Sequence, residues 1–215
     1  YHHFDGKSLM VEKFVNFKME VSVIAARNTK GKITGYPLVE NIHENNILKM
    51  TIAPARVSID VIKNAGEIAK KTMEVLKGAG VFGIEMFIDQ DDKILINEIA
   101  PRVHNSGHHT LQSSKTSQFE QHLRAILGLE LGSTDLVHRT VMCNILGPYG
   151  FEGKYNPIKL EKDGVYLKMY GKSVSKPQRK LGHFNVVDIS NSKDTSELLE
   201  TANEIKNSIL INPLD

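Results

Sequence analysis

Glu85 and Glu98 are the residues of this chain that most call for a chemical explanation. Alternation in Gly83-Ile84-Glu85-Met86-Phe87 puts Glu85 among apolar strand positions, and Glu98 closes a second such run, Leu95-Ile96-Asn97-Glu98, 13 positions later. A carboxylate in an apolar strand is costly unless it is paired or holds a cation. Two of them on adjacent antiparallel strands can converge on one point. Mg²⁺ accepts that arrangement, taking one or two carboxylates and filling its other positions with substrate phosphates and water. A solvated strand face for one or both glutamates accounts for the pattern equally well.

The next segment tips that balance. Ala100 to His109 carries a guanidinium (Arg102), three imidazoles (His104, His108, His109), an amide (Asn105) and a hydroxyl (Ser106). Core packing does not ask for this mixture, which offers many donors to an anionic or polyoxygenated substrate. A structural zinc site on the three histidines is the competing idea. It lacks cysteine ligands, and the spacing matches no common zinc pattern.

Positioning these groups requires a framework, and the hydrophobic pattern supplies one. Lys18 to Asn28 and Ile33 to Leu38 read as two antiparallel strands joined by a short turn, with a further strand over 46–52. Pro54 breaks the chain before a helix capped near Ser58, whose stripe Val61, Ala65, Ile68, Thr72 and Val75 is to be buried and which Gly78 and Gly80 end. Strands over 81–89 and 94–99 form the acidic hairpin. The stretch 100–116 has no hydrophobic period, and loops of that length in compact domains are usually functional. Ser117 and Glu120 form a capping-box pattern for a helix over 118–127. Strands follow at 140–146, 165–170 and 183–188, and Asp194 to Glu197 opens a last helix to about Leu210. Hairpins interspersed with helices make the fold class α+β.

Composition bounds the rest. With 215 residues, 40% apolar and 24% charged, the chain has the makeup of a globular protein with a real core. No apolar run approaches the roughly 18–20 residues that span a bilayer, so no membrane association is expected. The net charge of +2 does not announce a nucleic-acid partner. The single cysteine, Cys143, precludes an internal disulfide, which suits a reducing cytoplasm. It lies in an apolar strand and reads as a core residue rather than a nucleophile.

INEIAPRVHNSGH (residues 96–108) resembles the signature of the 5-(carboxyamino)imidazole ribonucleotide synthases, and SQFEQHLRAILGL resembles the helix that follows it. VEKFVNFKMEVSV, YPLVENIHENNIL and APARV upstream and YGKSVSKPQRKLGHFNVV downstream are similar to the same family, in order and at fitting spacing, from about Leu9 to Val187. The resemblance implies an ATP-grasp carboxy-terminal lobe, an antiparallel sheet with packed helices, followed by a small β-rich domain. The implied division is 1–17 for a remnant of the lid subdomain and the adenine hinge, 18–133 for the core lobe and 134–215 for the β-rich domain.

The implied activity is ATP-dependent carboxylation of aminoimidazole ribonucleotide with bicarbonate in purine biosynthesis, by way of carboxyphosphate, in a cytoplasmic homodimer. Glu12, Lys13, Phe14 and Val15 would take the adenine edge, Glu20 the ribose hydroxyls, and His43 would lie near the nucleotide. Glu85 and Glu98, helped by Asn97, would hold Mg²⁺, with Mn²⁺ able to substitute. Arg102 and His104 would be catalytic and, with Asn105 and Ser106, face bicarbonate and the aminoimidazole. Lys172, Arg179 and Lys180 would bind the ribonucleotide phosphate.

Without the resemblance, Glu12 and Glu20 are ordinary strand residues, His43 a turn histidine and the basic group a solvated loop. Family members carry far more sequence ahead of the hinge, so this chain is expected to be an incomplete portion of the enzyme. Phe4-Asp5-Gly6-Lys7 faintly echoes the family's phosphate loop but stands too close to Glu12. The alternative from another class is a non-catalytic nucleotide-binding module derived from such a ligase.

Overall fold

The computed structural model describes residues 5–214; Tyr1 to Phe4 and Asp215 lie outside it, and with Phe4 the first residue of the phosphate-loop echo. Nine strands form one sheet: β1 (Phe17–Arg27), β2 (Ile33–Gly35), β3 (Val39–Glu44), β4 (Ile47–Ala53), β5 (Gly80–Asp89), β6 (Ile94–Ala100), β7 (Thr140–Leu146), β8 (Val165–Met169) and β9 (Lys180–Val187). Their order is β6-β5-β1-β3-β4-β7-β9-β8, with β2 on β1, and every pairing is antiparallel. The helices are α1 (Ile59–Leu76), α2 (Thr110–Ser113), α3 (Gln118–Ile126) and α4 (Thr195–Ser208). The α+β class holds. The expected division at 133/134 falls inside a continuous sheet, because β4 pairs with β7 across it.

The sheet has two unlike faces. Side chains alternate along a strand, so one face takes Val21, Val23, Ile84, Met86 and Ile88 and packs them on α1 through Val61, Ala65, Ala69 and Met73. The same face continues as Met50, Ile52, Val141, Cys143, Phe184 and Val186 under Leu198, Ala202 and Ile205 of α4. Cys143 is fully buried there, as a core residue. The opposite face carries Glu20, Ser22, Asn41, Thr51, Glu85, Asn144, His183 and Asn185, and the 101–116 stretch and α3 lie over it.

The local signals explain most boundaries. Ser58 caps α1 by accepting from the Val61 amide, and Asp194 and Glu197 close a reciprocal capping box on α4. Other expectations need correction. Lys77 itself turns left-handed (φ 57°) and ends α1, its amide bonding Met73 O, so neither Gly78 nor Gly80 supplies that cap. Val75 of the expected buried stripe is exposed, while Ala69 and Met73 are buried instead. Ser117 caps α3, but the Glu120 carboxylate takes Arg124 at 2.7 Å rather than closing a box. The strand expected over 33–38 stops at Gly35, and β3 was not expected as a strand at all. Strand β9 starts at Lys180, three residues before the expected His183, and α4 ends at Ser208.

One charged pair sits on the apolar face. Glu40 of β3 is 7% exposed and receives both Nε (2.8 Å) and Nη2 (2.6 Å) of Arg56, from the segment joining β4 to α1. Arg56→Ala leaves that carboxylate buried and unpaired. The predicted cost is about 2–3 kcal/mol, below the fully buried case because Arg56 is partly solvated, or roughly 5–10 °C in Tm for a chain of this size. Calorimetry of the variant checks it; an unchanged Tm would show that the pair fixes nothing.

Candidate functional site

The hairpin β5–β6 builds the acidic end of the polar face. Glu85 and Glu98 are direct cross-strand partners, and the register shifts immediately afterwards, Met86 facing Ile96. Asn97 is therefore the extra residue of a bulge, a device that re-aims side chains at strand ends. Like charges directly opposite one another are destabilising. Burial pushes the Glu85 carboxyl above its usual range; His43 and Lys180 pull it back down, while Glu98 and Glu20 push it further up. Glu20, His43, Glu98 and Lys180 are thus the charges that act on Glu85.

On the neighbouring strands His43 Nδ1 donates to Glu20 Oε2 at 2.7 Å, with both side chains largely buried. Lys180, at the start of β9, is lowered by its own burial, with Glu85 opposing that and Arg102 adding to it. Lys180 belongs to the other half of the sheet, yet its positive charge acts on Glu85.

The 101–116 segment is clamped rather than loose. The Gln118 side chain accepts from the His104 amide (2.9 Å) and donates to the His104 carbonyl (2.7 Å) and to His108 Nδ1 (3.0 Å). A Cβ on Gly107 would come within 2.5 Å of Gln118, and one on Gly83 within 2.5 Å of His104, so these two glycines permit the close approach. Asn105 and Asn144 exchange amide hydrogen bonds (3.0 and 2.6 Å), and Asn144 also donates to Leu48 O (2.9 Å). The segment contains a 3₁₀ turn over Asn105–Gly107 as well as α2. His104 Nε2 ends 3.5 Å from Glu85 Oε1.

The expected site residues therefore divide. Glu20, His43, Glu85, Asn97, Glu98, Arg102, His104, Asn105, Ser106 and Lys180 lie on or against the polar face. Arg179 turns its Nη1 onto Val174 O (3.0 Å), and Lys172 is exposed in the loop after β8. Glu12, Lys13 and Phe14 are exposed ahead of β1, and Val15 is half-buried. His109 is fully buried with Nδ1 on Ser113 Oγ (2.7 Å), and His108 packs between Phe119, Tyr170 and His183, so the three imidazoles do not form a zinc site.

Sequence reasoning missed Ser22, Asn41 and Thr51 beneath His104, the Gln118 clamp, and the stacked rings of Phe17 and Phe87, 4.4 Å apart. The available signal was polar residues at every second position of otherwise apolar strands, as in Glu20-Val21-Ser22 and Asn41-Ile42-His43.

Residues 1–119 match the ATP-grasp domain. The chain belongs to the ATP-grasp family. Residues 140–197 match the phosphoribosylaminoimidazole carboxylase C-terminal domain. The chain is 45% identical over 174 residues to an N5-carboxyaminoimidazole ribonucleotide synthase of Bacillus subtilis, covering 81% of this chain and 45% of that protein. It is 42% identical over 193 residues to a phosphoribosylaminoimidazole carboxylase of Schizosaccharomyces pombe, covering 86% and 35%.

Among solved structures, the N5-carboxyaminoimidazole ribonucleotide synthetase of Thermotoga maritima superposes with a TM-score of 0.85 at 46% identity, over 94% of this chain and 55% of that one. The Aspergillus clavatus synthase in complex with ADP and 5-aminoimidazole ribonucleotide gives 0.78 at 33%, over 92% and 53%. The resemblance seen in the motifs thus holds for sequence and fold alike, and the chain spans about half the length of these solved relatives.

The buried imidazoles generate a pH prediction. Burial is the first cause that pushes His104 and His183 down to about 4 and His108 and His109 down to about 3. Unfolded histidine titrates near 6.5. As pH falls through that value the unfolded chain binds protons that the folded chain does not, so stability falls with falling pH. Each histidine contributes at most about 1.4 kcal/mol per pH unit. Urea unfolding is expected to show a falling midpoint from pH 6.5 to 5, above the ordinary carboxylate range. A flat midpoint there would overturn the assignment of four neutral imidazoles.

Proposed function

We propose that this chain forms the metal- and substrate-facing half of an ATP-dependent ligase that carboxylates 5-aminoimidazole ribonucleotide with bicarbonate. The observation carrying this reading is the cross-strand pair Glu85–Glu98 beside a clamped segment of donors, Arg102 to Ser106. Two hard carboxylate oxygen sets with the Asn97 amide on the adjoining bulge fit Mg²⁺ or Mn²⁺ better than a soft or tetrahedral metal. Bound there, the ion would neutralise nucleotide phosphate charge and relieve the repulsion between the two glutamates.

The remaining roles fall to the chain's own groups. The exposed Glu12 to Phe14 segment is free to take the adenine edge, and Glu20, oriented by His43, accepts from the ribose hydroxyls. Arg102 and His104 orient bicarbonate for transfer of the terminal phosphoryl group, and Asn105 and Ser106 help to hold the aminoimidazole. Lys180, with Arg179 and Lys172, offers positive charge to the ribonucleotide phosphate. The carboxyl group then passes to the substrate amine, leaving ADP and phosphate. Such a site acts by positioning and electrostatics. We further propose a cytoplasmic location, which the lone buried Cys143 suits, and a homodimer, as the motif resemblance implies; among the described residues no helix is long and apolar enough to cross a membrane.

The test is ADP release with ATP, Mg²⁺ and bicarbonate, with and without the ribonucleotide, beside Glu98→Gln. Release that depends on the ribonucleotide and falls by about 100-fold or more in the variant is expected. Nucleotide binding that needs Mg²⁺ and Glu98 but yields no ribonucleotide-dependent release would favour a nucleotide-binding module.

A further inference from the structure

Beneath the candidate site runs a chain of buried side chains whose direction can be read. Thr51 Oγ1 donates to Asn41 Oδ1 (3.1 Å), Asn41 Nδ2 donates to Ser22 Oγ (2.9 Å), and Ser22 Oγ donates to Ser106 Oγ (2.9 Å). Ser106 Oγ lies 2.8 Å from His104 Nδ1. Thr51, Ser22 and Ser106 are fully buried and Asn41 is 4% exposed, so water does not substitute along the path.

Having accepted from Ser22, Ser106 has its own proton left for His104 Nδ1. The reverse direction is chemically distinct. If Nδ1–H donated to Ser106, either Ser106 would accept from Ser22 as well and its own proton would be stranded, or the chain would reverse, with Ser106 donating to Ser22, Ser22 to Asn41 Oδ1, and a flipped Asn41 amide to Thr51. The Thr51 hydroxyl proton would then have no acceptor in the chain. A stranded buried hydroxyl proton is penalised. In the forward direction Thr51 is simply the first donor and no proton is left over.

We propose that Thr51, Asn41 and Ser22 are positioning residues that hold His104 in the tautomer with its proton on Nε2, so that the imidazole presents an N–H donor to Glu85 and to an oxyanion bound beside it. The consequence for catalysis rests on the function proposed above; the tautomer itself does not. The strands explain why the relay exists. Asn41 and Thr51 are cross-strand partners on β3 and β4, and Ser22 lies on β1, two residues from the Asn41 partner Glu20. The sheet register therefore sets the ring's protonated nitrogen from three strands away.

The experiment is ¹⁵N–¹H correlation of the imidazole nitrogens in the uniformly labelled chain near neutral pH, with His104 assigned by His104→Gln. The expected spectrum has a protonated Nε2 and an unprotonated Nδ1 at His104, at a preference of at least about fivefold. Ser22→Ala and Thr51→Val each remove the bias and are expected to give a mixture of tautomers, while Thr51→Ser keeps the wild-type pattern. A proton on Nδ1 in the wild-type chain would overturn the proposal. So would an unchanged tautomer in both folded variants. Should a variant not fold, the wild-type spectrum still decides. The expected tautomer without ribonucleotide-dependent ADP release would support the relay and count against the ligase reading alone.

Discussion

A largely buried carboxylate on β5, one strand in from the edge of the sheet, is the constraint on which the rest of this structure depends. Glu85 lies on β5 between the register positions of Ser22 on one side and Glu98 on the other. Its desolvation is opposed by charge from His43 and Lys180, which stand on different strands. An isolated ion there would be too costly to keep. The sheet face therefore has to be polar over several strands, and the chain has to bring compensating groups from far apart in sequence. Glu85 and Lys180 stand far apart along the chain, and the β4–β7 pairing puts both on one sheet.

The two faces solve different problems. Under α1 and α4 the sheet is an ordinary core, where burial of Ile52, Ile84, Phe184 and their neighbours supplies the stability. On the other face most buried polar groups find hydrogen-bond partners, although Asn185 Oδ1 and His109 Nε2 do not. Gln118 shows the logic: one side chain completes both backbone groups of His104 and also His108, so the segment carrying Arg102 to Ser106 cannot swing as a free loop would. Rigid placement is what a positioning mechanism requires, because small misplacements of a reacting group cost rate steeply.

This division also explains what could be read in advance. The acidic hairpin, α1 and α4 were legible because each buries one apolar stripe or shows a cap. Strand β3 was not, since Val39-Glu40-Asn41-Ile42-His43-Glu44 has one face turned to the polar side and a buried glutamate on the other, neutralised by Arg56. Its hydrophobic pattern is erased by the very groups that serve the site. Glu85, Glu98 and the donors after them could be named from residue types alone, whereas Ser22, Asn41, Thr51 and Gln118 could not. Their significance lies in partners 10 to 84 positions away. For Glu12, Glu20, His43 and the basic loop, only the family resemblance pointed to a role.

The amide exchange between Asn105 and Asn144 joins the donor segment to the carboxy-terminal strands. Asn144 belongs to β7, in the half matched by the carboxylase C-terminal domain, yet its partner sits in the donor segment and its second bond goes to Leu48 of β4. Asn185 of β9 adds a donor to His108 O and to Gln112. Were the carboxy-terminal strands merely an appended module, the donor segment would need no hydrogen bonds from them. Instead the segment is held from three directions: by Gln118 of α3, by the Ser22 relay below, and by β7 and β9. A group such as His104 can be kept at a fixed angle to Glu85 only if all three hold, so the site is a property of the whole sheet rather than of the hairpin that carries its acids.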